Sequence, residues 1–442
     1  LMGGVTFFVC YLFALRGIDP HHDGWMLKTA VDVSRGLRLY ADTYVQYGSL
    51  YIYLLALGVR IFGETVAAIQ IMTCIAYAGC GMLLYRILRQ FAPRLPALLS
   101  PLIAIGLAAF YFWNFHPWSS VFALLFSLCA ALAMVRYTQS RRLPYALLCG
   151  VFTGCMFWCR QVALVTVIGG GLILLGLWLA GFDTGRAMAR ALVWYCASNL
   201  LVSAAFLAVI AAQGALFDWW IQYILNAFRF AAEPTAETAA HSPDTLLAYF
   251  FTGMRANPRY DWLWSVLTYG SLVYIVILIA LAFAGRRSGQ GRTGLFGRIA
   301  FTAFALFGWA YYFPTLCYRH LIWSDYPLVG VLALALYDGV LLLLNRAYAV
   351  GRLRLRAGAL CCALLLLLCG GNLLVRVRMG KARLLGGGTG AQFKRTEYAE
   401  EDTLLRYARR DYPYLNGLYL SERETRFYDG LFDAVGEATA RF

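Results

Sequence analysis

The chain has 442 residues, of which 61% are hydrophobic and only 14% are charged, and its formal net charge is +15. A soluble domain carries roughly 25% charged residues, so this composition excludes a soluble globular enzyme and indicates a polytopic membrane protein. The positive charge comes from arginines between apolar runs, which is typical of cytoplasmic membrane loops. We therefore do not interpret it as a nucleic-acid-binding surface, and we expect no nucleic acid partner.

Apolar runs that can cross a bilayer core of ~30 Å recur along the chain up to about residue 374. The predicted fold is all-α and polytopic, with about 11 transmembrane helices in a module that covers 1–374. The first run is short and starts at the first residue, so we expect the natural N-terminus to lie upstream. The predicted spans lie near 1–15, 64–85, 95–113, 118–135, 144–159, 161–181, 191–212, 261–284, 299–313, 325–344 and 357–374.

Arginines follow every second span, and basic residues near span ends stay in the cytoplasm. This pattern assigns the loops 16–63 and 213–260 to the outer side of the membrane. The segment 375–442 is predicted to be a short outer tail with a helical stretch at 397–410. Four basic residues directly after the last predicted span oppose that assignment of the tail: Arg376, Arg378, Lys381 and Arg383.

The loop 16–63 contains a long polar stretch, DPHHDGWMLKTAVDVSRGLRLYADTYVQYGSLY, which starts at residue 19. Apolar residues at helical spacing predict an interfacial helix from Met26 to Leu37. The segment 49–63 is too short to span the membrane and is predicted to be a second interfacial or re-entrant helix. Asp23 directly precedes the first helix, where an aspartate can serve as the helix N-cap or as a catalytic base.

Side chains that can bind a metal lie beside Asp23. Asp19, His21 and His22 are weak candidates for a divalent metal site, because Pro20 and the dense spacing define no ligand geometry. A divalent metal is thus a possible cofactor, and the sequence demands none. For Asp42, binding of a sugar hydroxyl or capping of its turn is favoured over a role as a second base.

Several motifs follow the acidic stretch in a fixed order. They are the pattern G-x-x-x-Y-x-D at Gly36, Tyr40 and Asp42, the block QYGSLYIYLLAL, and Phe62-Gly63 before the next span. Together with an acidic residue after the first span, they resemble the first outer loop of the GT-C membrane glycosyltransferases. The similarity is to the branch of protein O-mannosyltransferases and lipid A aminoarabinose transferases. The family's Asp-Glu and Pro-Pro pairs are replaced here by Asp23-Gly24 and Gly48-Ser49.

The resemblance implies a function as well as a fold. Family members use a polyprenyl-phosphate sugar as donor and an aspartate of this loop as base, which implies that role for Asp23. The implied enzyme is an inverting glycosyltransferase of the cell membrane that transfers the sugar to a hydroxyl of a glycan, lipid or protein on the extracytoplasmic face.

The chemistry agrees with this reading. A lipid phosphate leaves already ionised, so one carboxylate suffices as base and no general acid is needed. The departing phosphate needs cations, for which arginine is best suited. The residues assigned to substrate binding are Asp42, Tyr47, Arg160, Arg319 and His320.

Two other classes stay open at this stage. A polysaccharide polymerase or ligase that uses diphosphate-linked glycans would place its key residues in a late outer loop. The loop 213–260 offers such residues in Arg229, His241, Arg255 and Arg259. A lipid-linked sugar flippase would line a path with polar groups at mid-membrane. Few such groups are visible beyond Arg160, Asn199 and Asp338, and Asp338 is interpreted as a structural polar contact in the cytoplasmic half.

Overall fold

A computed structural model describes residues 1–111, 115–232, 261–285, 292–308, 318–344, 352–384 and 404–440. These residues form helices almost throughout, with one two-stranded sheet near the C-terminus. The helices are α1 (Met2–Ala14), α2 (Trp25–Ser34), α3 (Ser49–Phe62), α4 (Val66–Leu88), α5 (Arg94–Gly106), α6 (Ser119–Ser140), α7 (Leu143–Cys159), α8 (Leu164–Leu179), α9 (Gly185–Ala212), α10 (Leu216–Trp219), α11 (Asn226–Ala232), α12 (Asp261–Ala284), α13 (Arg292–Phe307), α14 (Tyr318–Leu343), α15 (Arg352–Leu384) and α16 (Glu422–Ala440). The strands are β1 (Leu404–Arg406) and β2 (Tyr419–Ser421).

Within the described ranges, 7 helices are long and apolar enough to cross a membrane. They are α4, α6, α8 with the preceding turn, α9, α12, α14 and α15. The other four predicted spans correspond to the shorter apolar helices α1, α5, α7 and α13. The predicted all-α polytopic membrane fold is therefore confirmed, while the count of eleven spans stays a prediction.

Small residues let the helices approach closely, as is usual in membrane bundles. A Cβ atom on Gly150 of α7 would lie 2.2 Å from the backbone oxygen of Tyr195 on α9. A Cβ atom on Gly81 of α4 would lie 2.4 Å from the hydroxyl oxygen of Thr6 on α1. Because any larger side chain would meet these atoms, the two glycines fix the contacts of α7 with α9 and of α1 with α4.

The buried residues form two hydrophobic clusters at opposite ends of the bundle. The loop-side core joins α1, α2 and α3 to the start of α6, the end of α7 and the C-terminal segment, and it includes Ile18, Tyr51 and Trp158. The distal core joins the ends of α4 and α6 to α12, α13, α14 and α15, and it includes Met134 and Phe301. The polar stretch of the first loop thus lies over the loop-side core.

Both helices predicted in the first loop are present, with one change in length. Helix α2 ends at Ser34, whereas the apolar spacing predicts that it continues to Leu37. Gly36 has a φ of +97°, and the N–H of Leu37 donates to the carbonyl of Asp32 at 3.0 Å. The left-handed glycine therefore ends the helix, as in many C-caps.

The last predicted span also ends later than expected. Helix α15 continues to Leu384, beyond the predicted end at 374. Arg376 on this extension is 1% exposed and donates to the carbonyls of Leu107 and Ala108, at 2.6 and 2.9 Å. These carbonyls follow the C-terminus of α5, where a cation is favourable. Arg376 thus has a structural role and is a weak guide to topology.

The C-terminal segment differs from its prediction. Residues 404–406 form β1, which pairs antiparallel with β2, so the predicted helix at 397–410 is wrong there. The part at 397–403 lies outside the described residues. Helix α16 follows β2 directly, and Leu418 and Leu420 are fully buried in the loop-side core. The segment therefore packs onto the same end of the bundle as the first loop.

Candidate functional site

Asp23 lies in a single wide helical turn, Pro20–Gly24, that joins α1 to α2. The side chain is fully buried, and its Oδ2 accepts a hydrogen bond from the Asp19 N–H at 2.9 Å. Gly24 occupies the N-cap position of α2, which has no side-chain cap. The N-cap interpretation of Asp23 is therefore wrong, because its carboxylate turns back toward Asp19.

A histidine that sequence reasoning missed lies against this carboxylate. His116 is in the extended segment before α6, and its Nδ1 is 3.4 Å from Asp23 Oδ1. Its Nε2 is 3.7 Å from Asp19 Oδ2, and the residue is 5% exposed. The one sequence signal is a histidine in the short polar break, FHPW, between the predicted spans 95–113 and 118–135. Tertiary packing places that segment on the first loop.

Asp19 connects the histidines of the site. Its Oδ2 is 3.0 Å from His22 Nδ1, and its Oδ1 accepts from the His22 N–H at 3.2 Å. Partial burial acts to raise the pKa of the Asp19 carboxyl, but the hydrogen bonds from His22 and the electrostatic interaction with His116 outweigh it and hold that pKa well below its usual range. Asp19 is therefore an ionised carboxylate at neutral pH.

Asp19, His22 and His116 could hold a metal ion together. Each offers one ligand atom, and these atoms all lie within 4.8 Å of one another. One carboxylate and two imidazoles form a donor set that suits zinc and similar divalent ions. The predicted candidates Asp19 and His22 are thus brought together with a third ligand, whereas the side chain of His21 lies outside the described residues.

A narrow cleft opens beside this cluster, and most of its walls are aromatic. Trp25 and Tyr47 lie 6.0 Å apart between ring centroids, and Tyr44 stacks on Trp25 at 5.9 Å. The space inside the cleft is about 10 Å³, roughly that of one water molecule, so a sugar would bind there only if the walls move apart. The lining residues are His22, Trp25, Met26, Tyr47, Tyr51, His116, Pro117, Trp118 and Ser119.

The segment between α2 and α3 is fixed by contacts with the turn that follows α10. The Tyr40 hydroxyl donates to the Tyr47 carbonyl at 2.8 Å. Gln222 donates from its side chain to the Tyr40 carbonyl at 2.8 Å and accepts from the Val45 N–H at 2.9 Å. These bonds hold Tyr40 at a φ of 70°, which is rare for a residue with a side chain. They therefore position Tyr47 in the cleft.

The start of α3 packs directly on the end of α7. A Cβ atom on Gly48 would lie 2.0 Å from the carbonyl oxygen of Trp158, so only glycine fits there. Arg160 follows α7 and is 8% exposed, and its guanidinium donates to the hydroxyl of Ser120. Ser120 is the neighbour of Ser119, which lines the cleft, whereas Arg160 is not among the lining residues.

Among the predicted site residues, Tyr47 lines the cleft, whereas Asp42 is not among its lining residues. Asp42 is exposed and forms an ion pair with Arg38 at 2.7 Å. Hydrogen bonds from the side chain and backbone of Arg38 lower the pKa of Asp42 to about 2. Arg319 and His320 are in the first turn of α14, and their side chains lie outside the described residues.

Part of the chain matches a known family. Residues 48–211 match the family model described as dolichyl-phosphate-mannose-protein mannosyltransferase. The match begins at Gly48 and runs through α3 to α9, including His116 and Arg160. No curated protein matches the chain in sequence.

Solved structures are similar to the chain over most of its length, at low identity. The structure of ArnT from Cupriavidus metallidurans bound to undecaprenyl phosphate has a TM-score of 0.50 and 13% identity, over 86% of this chain and 72% of that one. The oligosaccharyltransferase of Archaeoglobus fulgidus has a TM-score of 0.46 and 13% identity. The match covers 86% of this chain and spans 56% of the oligosaccharyltransferase. The family match over 48–211 and the fold shared with ArnT confirm the predicted resemblance to the GT-C membrane glycosyltransferases.

Proposed function

We propose that this protein is an inverting glycosyltransferase that moves a sugar from a polyprenyl-phosphate carrier to a hydroxyl acceptor on the extracytoplasmic face of the membrane. The observation that carries the proposal is the convergence of Asp19, His22, Asp23 and His116 at one end of an aromatic cleft. The bound undecaprenyl phosphate of the ArnT structure supports a carrier of that class.

In the proposed reaction, the acceptor oxygen attacks the anomeric carbon while the phosphate leaves with the bonding electrons. Asp23 is the proposed final acceptor of the hydroxyl proton. Because Asp23 is buried and His116 lies between it and the cleft, the proton passes through the imidazole, which takes it at Nε2 and gives it up at Nδ1. The N–H of Asp19 holds the other oxygen of Asp23 and keeps the carboxylate turned toward His116.

The departing phosphate needs positive charge near the cleft. Arg160, which donates to Ser120 beside the lining residue Ser119, is the described residue that fits this role best, and Arg319 and His320 remain proposed partners. A divalent ion held by Asp19, His22 and His116 would supply positive charge as the alternative to the proton relay, because a metal-bound ring nitrogen of His116 cannot also carry the proton. Tyr47 and Trp25 are the proposed contacts for the sugar ring.

The two other classes gain no specific support. Arg229 is exposed on α11, and the other residues proposed for a polymerase or ligase lie outside the described residues. Two of the polar groups expected of a flippase have partners within the bundle: Asn199 donates to the Thr153 hydroxyl at 2.9 Å, and Asp338 pairs with Arg298.

The test is incubation of the purified protein with a panel of polyprenyl-phosphate sugars, with and without a chelator. We expect loss of one donor and release of its sugar to an acceptor or to water. No consumption of any polyprenyl-phosphate sugar, together with turnover of a diphosphate-linked glycan, would replace this proposal with the polymerase or ligase.

The side of the membrane that the first loop faces is tested separately. Thiol labelling should reach Ser34→Cys from outside and Ser140→Cys only from inside.

A further inference from the structure

The C-terminal segment contacts the chain just before the acidic turn. The Tyr419 N–H on β2 donates to the Leu15 carbonyl at 2.6 Å, and the Gly17 N–H donates to the Tyr419 carbonyl at 3.0 Å. Residues 15–17 thereby extend the β1–β2 pair as a short parallel bridge. The Arg16 guanidinium also lies 5.4 Å from the ring centroid of Tyr419.

These bonds hold a bend that sets the position of Asp19. Gly17 has a φ of +71°, a conformation that only glycine adopts readily, and it redirects the chain as α1 ends. Two residues later, the Asp19 N–H holds the Asp23 carboxylate and the Asp19 side chain holds His22. A shift of residues 15–17 would therefore move the groups that orient Asp23.

The contact is also a packed one. Leu418 and Leu420 are fully buried, and they belong to the same core cluster as Ile18 and Met26, which flank the acidic turn. Burial of two leucines makes this interface much stronger than a single surface hydrogen bond. The C-terminal segment therefore packs against the residues that flank the acidic turn.

We propose that the C-terminal segment, residues 404–440, is a positioning element of the site, with Tyr419 fixing residues 15–17 and through them Asp19 and Asp23. The inference rests on the proposed function for its effect on catalysis. A displacement of about 1 Å in a catalytic group can cost on the order of a hundredfold in rate, so a clamp next to the acidic turn has a large effect on turnover.

The experiment uses the full chain in detergent and two measurements. Tyr419→Pro removes the N–H that bonds Leu15, and Leu420→Ala loosens the same interface while keeping that N–H. Both should raise hydrogen exchange in the peptide that covers 15–23, with the larger increase in the proline variant. Arg426→Ala, on the exposed side of α16, is the matched control and should change neither exchange nor transfer.

The second measurement is transfer. We expect Tyr419→Pro to lower kcat about tenfold with the donor KM within about twofold, and to have almost no further effect in an Asp23→Asn background, because coupled groups are not additive. If Tyr419→Pro does not fold, Leu420→Ala carries both measurements.

Unchanged exchange at 15–23 in both variants would overturn the positioning role, whatever the activity. If the variants raise exchange but the wild-type protein itself transfers no sugar, the positioning role stands and only the proposed function is refuted. An equal loss of transfer in wild-type and Asp23→Asn backgrounds would mean that the segment acts on general stability and not on the acidic turn.

Discussion

The two ends of the bundle each place an aspartate among apolar helices, and the two aspartates have different partners. In the distal core, Asp338 on α14 accepts from Arg298 on α13 at 3.1 Å and from the Tyr274 hydroxyl on α12 at 2.6 Å. The predicted structural polar contact is thus confirmed. In the loop-side core, Asp23 contacts a histidine and a backbone N–H.

This difference distinguishes a structural carboxylate, Asp338, from the proposed catalytic one, Asp23. Arginine stays protonated at every physiological pH, so Asp338 is held in a permanent ion pair that joins three helices. Histidine is the side chain whose ordinary pKa lies nearest neutral pH, and the proposed proton transfer therefore runs between His116 and Asp23. The comparison teaches that an aspartate among the apolar helices of this protein is by itself a weak sign of catalysis, and that its partner is the better guide.

The largest expected effect is that of Asp23→Asn. We expect transfer to fall by about a hundredfold or more, because a positioned base contributes roughly 10²–10⁴ in rate. Asp32→Asn is the matched control, since Asp32 is on α2 and forms a surface ion pair with Lys28. Initial rates with the best polyprenyl-phosphate sugar measure both. Near wild-type transfer in Asp23→Asn would place the base elsewhere.

Asp338→Asn should lower the stability of the protein without changing the rate of sugar transfer. Loss of the carboxylate leaves Arg298 in the distal core without its charged partner, which should lower the free energy of unfolding by about 2 kcal/mol. Thermal unfolding in detergent gives the stability, and transfer per folded molecule should match wild type. A folded Asp338→Asn protein with no transfer would remove the distinction between the two aspartates.

His116→Gln should lower transfer by about tenfold, less than Asp23→Asn, because an amide can hold the carboxylate but cannot carry a proton. The double variant should be no worse than Asp23→Asn alone, since both residues serve one step. Full activity of His116→Gln together with loss in Asp23→Asn would mean that the acceptor reaches Asp23 directly. Rates measured at several pH values would then identify the group that titrates.

Asp42→Asn should have the smallest effect, with transfer reduced less than about threefold, because Arg38 already occupies the carboxylate in an exposed ion pair. The folded pKa is lowered to about 2, so the stability from this pair is present above the unfolded pKa of about 4 and is lost as the pH falls toward 2. The difference in Tm between wild type and Asp42→Asn should therefore vanish over that range. A much larger loss of transfer would support the predicted contact with a sugar hydroxyl.

The sequence by itself determined the class of the fold, and it predicted that the candidate site lies in the loop 16–63. Apolar runs and arginine spacing depend on local composition, because a bilayer demands continuous apolar helices and the positive-inside rule acts loop by loop. The acidic stretch before α2 and the two helices of the first loop were predicted for the same reason. Local pattern also singled out Asp23, His22 and Asp19 as candidates, since they lie close together in sequence.

Only the tertiary structure decided which distant residues contact the turn that holds Asp23. His116 lies far along the chain and reaches Asp23 because the segment before α6 folds under the first loop. Tyr419 reaches Leu15 from the opposite end of the chain, and a three-residue strand has too little sequence pattern to predict. Arg376 appeared to be a charge at a membrane boundary and proved to cap α5. In each case the partner is distant in sequence, and contacts of that kind depend on how the helices pack, which local periodicity does not encode.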